Sequence, residues 1–280
     1  MKNQVFLFIA LLSGVWGYSQ IQTPQPSPYS EMTQMVGLTE VKITYSRPSM
    51  KGRTIFGDLV PYDKVWRTGA NMNTTVSFSD PVTVGGTSLA AGTYALYTKP
   101  GMNQWEVYFY TDANNGGLPR EWDESKIAAK ASVPVYKMDD TVETFTITVD
   151  DLTNNGASIG ILWADTYVGV PFGVPTAEKA KKSIEAVMAG PSGNDYFSAA
   201  SYYFAEGMDL KKAKEWIDKA VSMNPDAFWM ARQQSLIYAK LGDMKGAIAA
   251  AKNSLAAAQK ANNADYVKMN QDSLKEWGVE

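Results

Sequence analysis

One stretch holds most of the residues in this chain that can do chemistry. The run "YSRPSMKGRTIFGDLVPYDKVWRTGAN", residues 45–71, sets Arg47, Lys51, Arg53, Lys64 and Arg67 against only two carboxylates, Asp58 and Asp63. Guanidinium forks match the paired oxygens of a carboxylate or phosphate, while Tyr62, Trp66 and Asn71 add ring faces and an amide. If the loop folds back across the strand ends, Arg47, Arg53 and Arg67 meet at one place. The candidate ligand-binding set is therefore Arg47, Lys51, Arg53, Tyr62, Trp66, Arg67 and Asn71, for a small anionic or carbohydrate-like ligand. A second reading stands beside it. The same arginines can brace a long loop through Asp58, Asp63 or backbone carbonyls and bind nothing.

Composition narrows the chemistry further. The chain has no His and no Cys, so a Ser-His-Asp triad, a cysteine nucleophile and an ordinary zinc site are all excluded. The expectation is no catalytic residue, no metal and no cofactor. A formal net charge of −3 gives no electrostatic reason to expect a nucleic-acid partner. "DANNGG" at 112–117 and "DDLTNNG" at 150–156 have the composition of calcium loops. However, Gly116 takes a ligand position in the first, and Leu162 stands where the second needs a bidentate glutamate, so both read as turns. Glu121, Asp123 and Glu124 crowd one short loop instead of opposing each other across a bond, as glycoside cleavage requires. Trp105, Tyr108, Tyr110 and Trp163 suit a sugar-stacking platform, but alternation sends part of that set into the core.

The elements that must position the loop follow from periodicity. "MKNQVFLFIALLSGVWGYS", residues 1–19, has the basic start, short apolar core and small residues of a secretory signal. Cleavage is expected near Ser19–Gln20, with the mature protein in the periplasm or secreted. Residues 20–30 read as an extended Pro- and Ser-rich leader. Through residues 31–172 the pattern alternates with period two between close turns. Val41, Ile43 and Tyr45 share one face; Trp105, Val107 and Phe109 face away from Glu106, Tyr108 and Tyr110. No helix is long enough for a crossover, so an antiparallel β-sandwich or open barrel is expected. "KVWRTGAN" reads as a strand, and Ile55, Phe56, Leu59 and Val60 as apolar anchors of the loop before it.

The period changes at Pro175. Residues 173–193 read as a linker carrying one helix, 176–189, with Ala180, Ile184, Val187 and Met188 on its apolar face. From 194 to 280 the chain is helical and repeats. Ser201/Ser235, Ala205/Ala239, Asp209/Asp243, Lys211/Lys245 and Ala213/Ala247 coincide at an offset of 34 residues. That offset resembles a tetratricopeptide repeat, which implies an all-α array of helical hairpins with a groove for a protein or peptide partner. A capping helix is expected at 265–277, with Tyr266, Met269 and Leu274 inward.

The 45–71 run, followed by "GTYALYTKPGMNQWEVYFY", resembles DUF2911, a family of exported bacterial proteins of unknown function, over roughly residues 30–172. The family's signature matches at Ser46-Arg47-Pro48, Lys51-Gly52-Arg53, Ile55-Phe56-Gly57, Leu59 to Tyr62 and Val65 to Asn71. Asp63 stands where the signature implies glycine. The resemblance implies no activity. Three functional readings follow. The first is an exported, non-catalytic protein whose β-domain binds a small ligand and whose helices bind a protein or peptide. The second is a carboxylate-dependent hydrolase acting on an envelope carbohydrate or ester. The third is a structural envelope scaffold.

Overall fold

The computed structural model describes residues 23–187 and 190–279. The signal sequence, its cleavage point, the first leader residues and Met188 lie outside them. The chain divides into two compact units, one ending at Val174 and the other beginning at Pro175.

The first unit contains two antiparallel sheets. Six strands form one: β1 (Tyr29–Val36), β2 (Thr39–Ser46), β3 (Thr75–Phe78), β6 (Gly92–Lys99), β7 (Gln104–Tyr110) and β8 (Ile127–Pro134), adjacent in that order. The other has the order β5-β4-β10-β9, from β4 (Val82–Val84), β5 (Thr87–Leu89), β9 (Tyr136–Asp150) and β10 (Gly156–Gly173). β1 begins inside the segment read as leader and pairs with β2 along its whole length. Gly85 and Gly86, at φ +55° and +80°, make the two-residue turn between β4 and β5 that side chains disfavour. β10 doubles back on itself. Irregular pairing flanks Ala164, which sits at φ +53°, and the Val174 N–H reaches the Asn155 carbonyl at 2.9 Å.

Alternation along the strands decides what is buried. Val41, Ile43, Val76, Trp105, Val107 and Phe109 of the first sheet join Phe145, Ile147, Ile159, Ile161 and Phe172 of the second in one apolar core. The opposite face of β7 is covered too. Tyr108 and Tyr110 pack with Tyr97 under Trp122, whose ring stacks on Tyr110 at 4.9 Å. Trp105, Tyr108, Tyr110 and Trp163 are thus all buried, in two separate cores, and do not make an exposed platform.

Six helices form the second unit: α1 (Thr176–Val187), α2 (Gly193–Ala205), α3 (Leu210–Met223), α4 (Phe228–Lys240), α5 (Met244–Lys260) and α6 (Ala264–Glu276). Asp209 and Asp243 occupy matching positions before α3 and α5, and their carboxylates cap the first backbone N–H groups of each helix. α1 contributes Ile184 to the helical core, whereas Val187, expected inward, is exposed. On α6, Leu274 is buried and Tyr266 packs edge-on against Phe228. Met269 is exposed, and the inward place beside it goes to Asn270. Its amide donates to Ser254 Oγ and the Tyr266 carbonyl, so a polar joint replaces the expected apolar contact.

Candidate functional site

Residues 47–74 leave β2 and return at β3, and this long loop is tied to both sheets. The Pro48 carbonyl accepts from Phe145 N–H at 2.9 Å, and Met50 N–H donates to the Glu143 carbonyl at 2.9 Å, so Ser49 sits beside Thr144 of β9. Farther on, Trp66 N–H donates to the Thr98 carbonyl at 2.7 Å and Thr98 N–H answers at 3.0 Å, on β6. Ile55 (2% exposed) and Val60 are buried beneath the loop, and Phe56 packs against Trp66, Trp105 and Trp163. Leu59 is not an anchor; it is 43% exposed. The strand expected over "KVWRTGAN" reduces to the single bridge at Trp66. Thr68, Gly69 and Asn71, at φ +54°, +147° and +58°, break the extended run.

Strain gathers in this loop. Among the described residues, seven non-glycine positions have positive φ, and four of them are Lys51, Asp63, Thr68 and Asn71. Thr68 is β-branched, for which the left-handed region is a true outlier. It is held there by contact with Thr98 Oγ1 at 3.0 Å and by Thr74 Oγ1, which donates to its carbonyl. Each such position costs on the order of 1–3 kcal/mol and persists only where its surroundings enforce it, typically at binding or catalytic sites. Asp63 adopts φ +57°, a conformation that glycine would take without strain.

The loop borders a cleft of about 410 Å³, within the range of small-ligand pockets. Lys51, Arg53 and Arg67 line it, together with Trp66 and Trp163, whose rings stack at 6.0 Å and 16°. Arg53 donates through Nε to the Met50 carbonyl (2.8 Å) and through Nη2 to the Ser49 carbonyl (2.6 Å); Arg67 Nη1 donates to the Asn71 carbonyl (3.1 Å). These acceptors are neutral. They fix the guanidinium groups without cancelling their charge. No Asp or Glu lines the cleft, and Lys51, Arg53 and Arg67 form no ion pair among the described residues. The Glu143 carboxylate accepts from the Lys51 backbone N–H at 2.9 Å, outside the cleft lining, so three cations without an ion pair of their own stand beside an indole floor. Trp66 Nε1 also has no hydrogen-bond partner among the described residues.

Three of the seven candidates lie elsewhere. Arg47 turns to the second sheet, where Nε donates to the Phe145 carbonyl at 3.0 Å and Nη2 to Thr146 Oγ1 at 2.7 Å. It is a brace, as the second reading of the sequence had it, but through neutral groups and not through Asp58 or Asp63. Tyr62 packs over Gly57, where a Cβ would lie 2.8 Å from its ring. Asn71 Nδ2 holds the leader through the Ser27 carbonyl at 3.0 Å and Ser46 Oγ at 3.2 Å. Trp163 was the residue sequence reasoning could not attach to the site. It arrives from β10, almost a hundred positions away, and only its burial was legible.

The family model described as a protein of unknown function (DUF2911) matches residues 27–172. The chain belongs to the DUF2911 family. The DUF2911 match takes in the loop, the three cleft cations and Trp163, and ends before the helices. No curated protein matches the chain. Elsewhere in the DUF2911 region the discounted motifs behave as turns. Asn115 bonds Asn73 and the Gly117 carbonyl, and Asp123 caps a short 3₁₀ turn at Glu124–Lys126 through Ser125 N–H. No group of three or more acidic residues among the described ones is placed to hold a metal ion.

Proposed function

We propose that this DUF2911 protein is an exported, non-catalytic binding protein, with a β-sandwich that takes a small organic anion in the Lys51/Arg53/Arg67 cleft. A single observation carries the reading: three cations line a pocket of ligand size whose lining holds no carboxylate, Glu143 being engaged by the Lys51 backbone N–H behind it. Lys51 and Arg53 are exposed and solvated, so the argument rests on convergence: three like charges held at one cleft repel one another, and an anion bound among them relieves that repulsion. Arg53 and Arg67 retain free guanidinium N–H groups for carboxylate or phosphate oxygens, and Trp66 offers an indole edge to an attached ring. The hydrolase alternative lacks a carboxylate at this cleft, and the scaffold alternative leaves the unpaired charge without a purpose.

The helical unit is a tetratricopeptide-like array that presents a groove to a protein or peptide. Matching aspartate caps at Asp209 and Asp243, with buried Ala213, Ala220, Ala247 and Ala251 between the helices, support that reading. Export rests on the signal-like residues 1–19, and N-terminal sequencing of the protein from a periplasmic extract tests it. For the cleft, the mature protein is titrated with phenyl phosphate by calorimetry. Saturable binding that is lost in an Arg53→Met/Arg67→Met double variant is expected. Unchanged binding by a folded double variant refutes the proposal.

A further inference from the structure

A second cleft of about 490 Å³ lies on the β unit, away from the loop's cations, and its chemistry is the reverse of theirs. Tyr136 and Tyr167, paired across β9 and β10, both line it, with their rings 6.3 Å apart and inclined by 46°. Tyr136 is 56% exposed, a large aromatic left uncovered at the start of a strand. Tyr167 is fixed. Its phenol donates to Asp150 Oδ2 at 3.2 Å, and Thr148 Oγ1 donates to the same oxygen at 2.7 Å. Two glycines make room for this ring. A Cβ at Gly160 would come within 3.0 Å of Tyr167 and 2.2 Å of the Asp150 carboxylate; one at Gly169 would lie 2.9 Å from the phenol oxygen.

Asp151 lines the same cleft and has no partner among the described residues, and Asp150 Oδ1 is likewise free. No Lys or Arg lines it, and the nearest in sequence, Lys137, is held by both oxygens of Asp165 at 2.8 and 2.9 Å. The same negative field acts on Tyr167, whose phenol is pushed up to about 12 by burial first and then by Asp150 and Asp151. Aromatic faces attract cations within about 6 Å of the ring centre, more strongly where water is excluded. At a 6.3 Å ring separation one cation can stand about 4.5 Å from both centres at once.

We propose that the Tyr136/Tyr167/Asp151 cleft is a second binding site of the β unit, specific for a small organic cation bearing an ammonium group. Tyr136 and Tyr167 supply the ring faces, Asp151 the counter-charge, and Ser132 and Ser158 hydroxyls for the remainder of the ligand. This site is independent of the anion cleft and stands whether or not that one binds.

The test uses the full mature chain titrated with tetramethylammonium chloride, against sodium chloride at equal ionic strength. Saturable tetramethylammonium binding is expected. Tyr136→Ala and Asp151→Asn should each weaken it about tenfold, and Tyr136→Phe, which keeps the ring face, should stay within about twofold. Both positions are exposed, so the variants should keep the wild-type melting temperature. Absence of saturable ammonium binding overturns the proposal. So does unchanged affinity in Tyr136→Ala, or competition by a neutral disaccharide where ammonium fails.

Discussion

Arg47 and Arg67 stand 20 positions apart in the same loop, and the structure gives them opposite duties, which a paired substitution separates. Arg47→Met removes two charged donors, one to the Phe145 carbonyl at 3.0 Å and one to Thr146 Oγ1 at 2.7 Å, both part-buried. Hydrogen bonds from a charged donor contribute about 1.5–3 kcal/mol each, and the methionine stem retains the packing. Water partly replaces the lost partners, so the net cost is about 2 kcal/mol. For a unit of this size that is a drop of roughly 4–8 °C in melting temperature. Phenyl phosphate affinity should be unchanged, because Arg47 does not line the cleft. Arg67→Met removes a single bond to the Asn71 carbonyl, which is exposed and largely replaced by water, so its net cost is about 1 kcal/mol at most, and it removes one of three cleft cations. A charged contact worth about 1.5–3 kcal/mol to the ligand corresponds to roughly 10- to 150-fold in Kd. Thermal melts and calorimetry on both variants give four values. If Arg47→Met weakens binding as much as Arg67→Met does, with both folded, the division of duties drawn here is wrong.

Other outcomes follow from the same geometry. Asp63→Gly relieves φ +57° and removes a carboxylate from the cationic loop; stability should hold or rise by up to about 1 kcal/mol and anion affinity should increase, read by denaturant titration and calorimetry. Gly160→Ala should destabilise the β unit by more than about 2 kcal/mol, because its Cβ would fall 2.2 Å from the Asp150 carboxylate; a melting temperature within a degree of wild type would contradict that packing. Glu106 accepts from Lys130 at 2.5 Å and Tyr108 at 2.7 Å, contacts that lower its carboxyl from 4.5 to about 2, the Lys130 bond being the larger cause. A depressed pKa stabilises the fold fully above the unfolded value, and that contribution is lost as pH falls from about 4.5 towards about 2. The side chain is 32% exposed, so solvent screening reduces the full shift to about 1–2 kcal/mol. Urea titrations of wild type and Glu106→Gln should therefore differ by that amount at pH 6 and converge near pH 2.

Local patterns were legible in the sequence where one strand or helix decides them. The two faces of β7, the Gly85-Gly86 turn and the Asp209/Asp243 repeat needed no tertiary information. The site was legible only in part. Lys51, Arg53, Trp66 and Arg67 line one cleft, and Arg47 does not, because Pro48 and Ser49 dock on β9 and carry it to the second sheet. Sequence spacing cannot tell which of two sheets a loop end will meet. Trp163 and the Tyr136/Tyr167 pair escaped for the related reason that β10 reverses at Ala164, a bend without a glycine to announce it. Met269 gave way to Asn270 because a polar joint with Ser254 is invisible to an apolar count.

The double fastening of the loop, to Thr144 on one side and Thr98 on the other, has a kinetic corollary. A rim secured at both ends has little freedom left to lose when a guest arrives, so complex formation should carry a small ordering entropy and approach the encounter-limited rate. Amide protons of Met50 and Trp66 should then exchange with solvent as slowly as those of the neighbouring strands, with or without a guest.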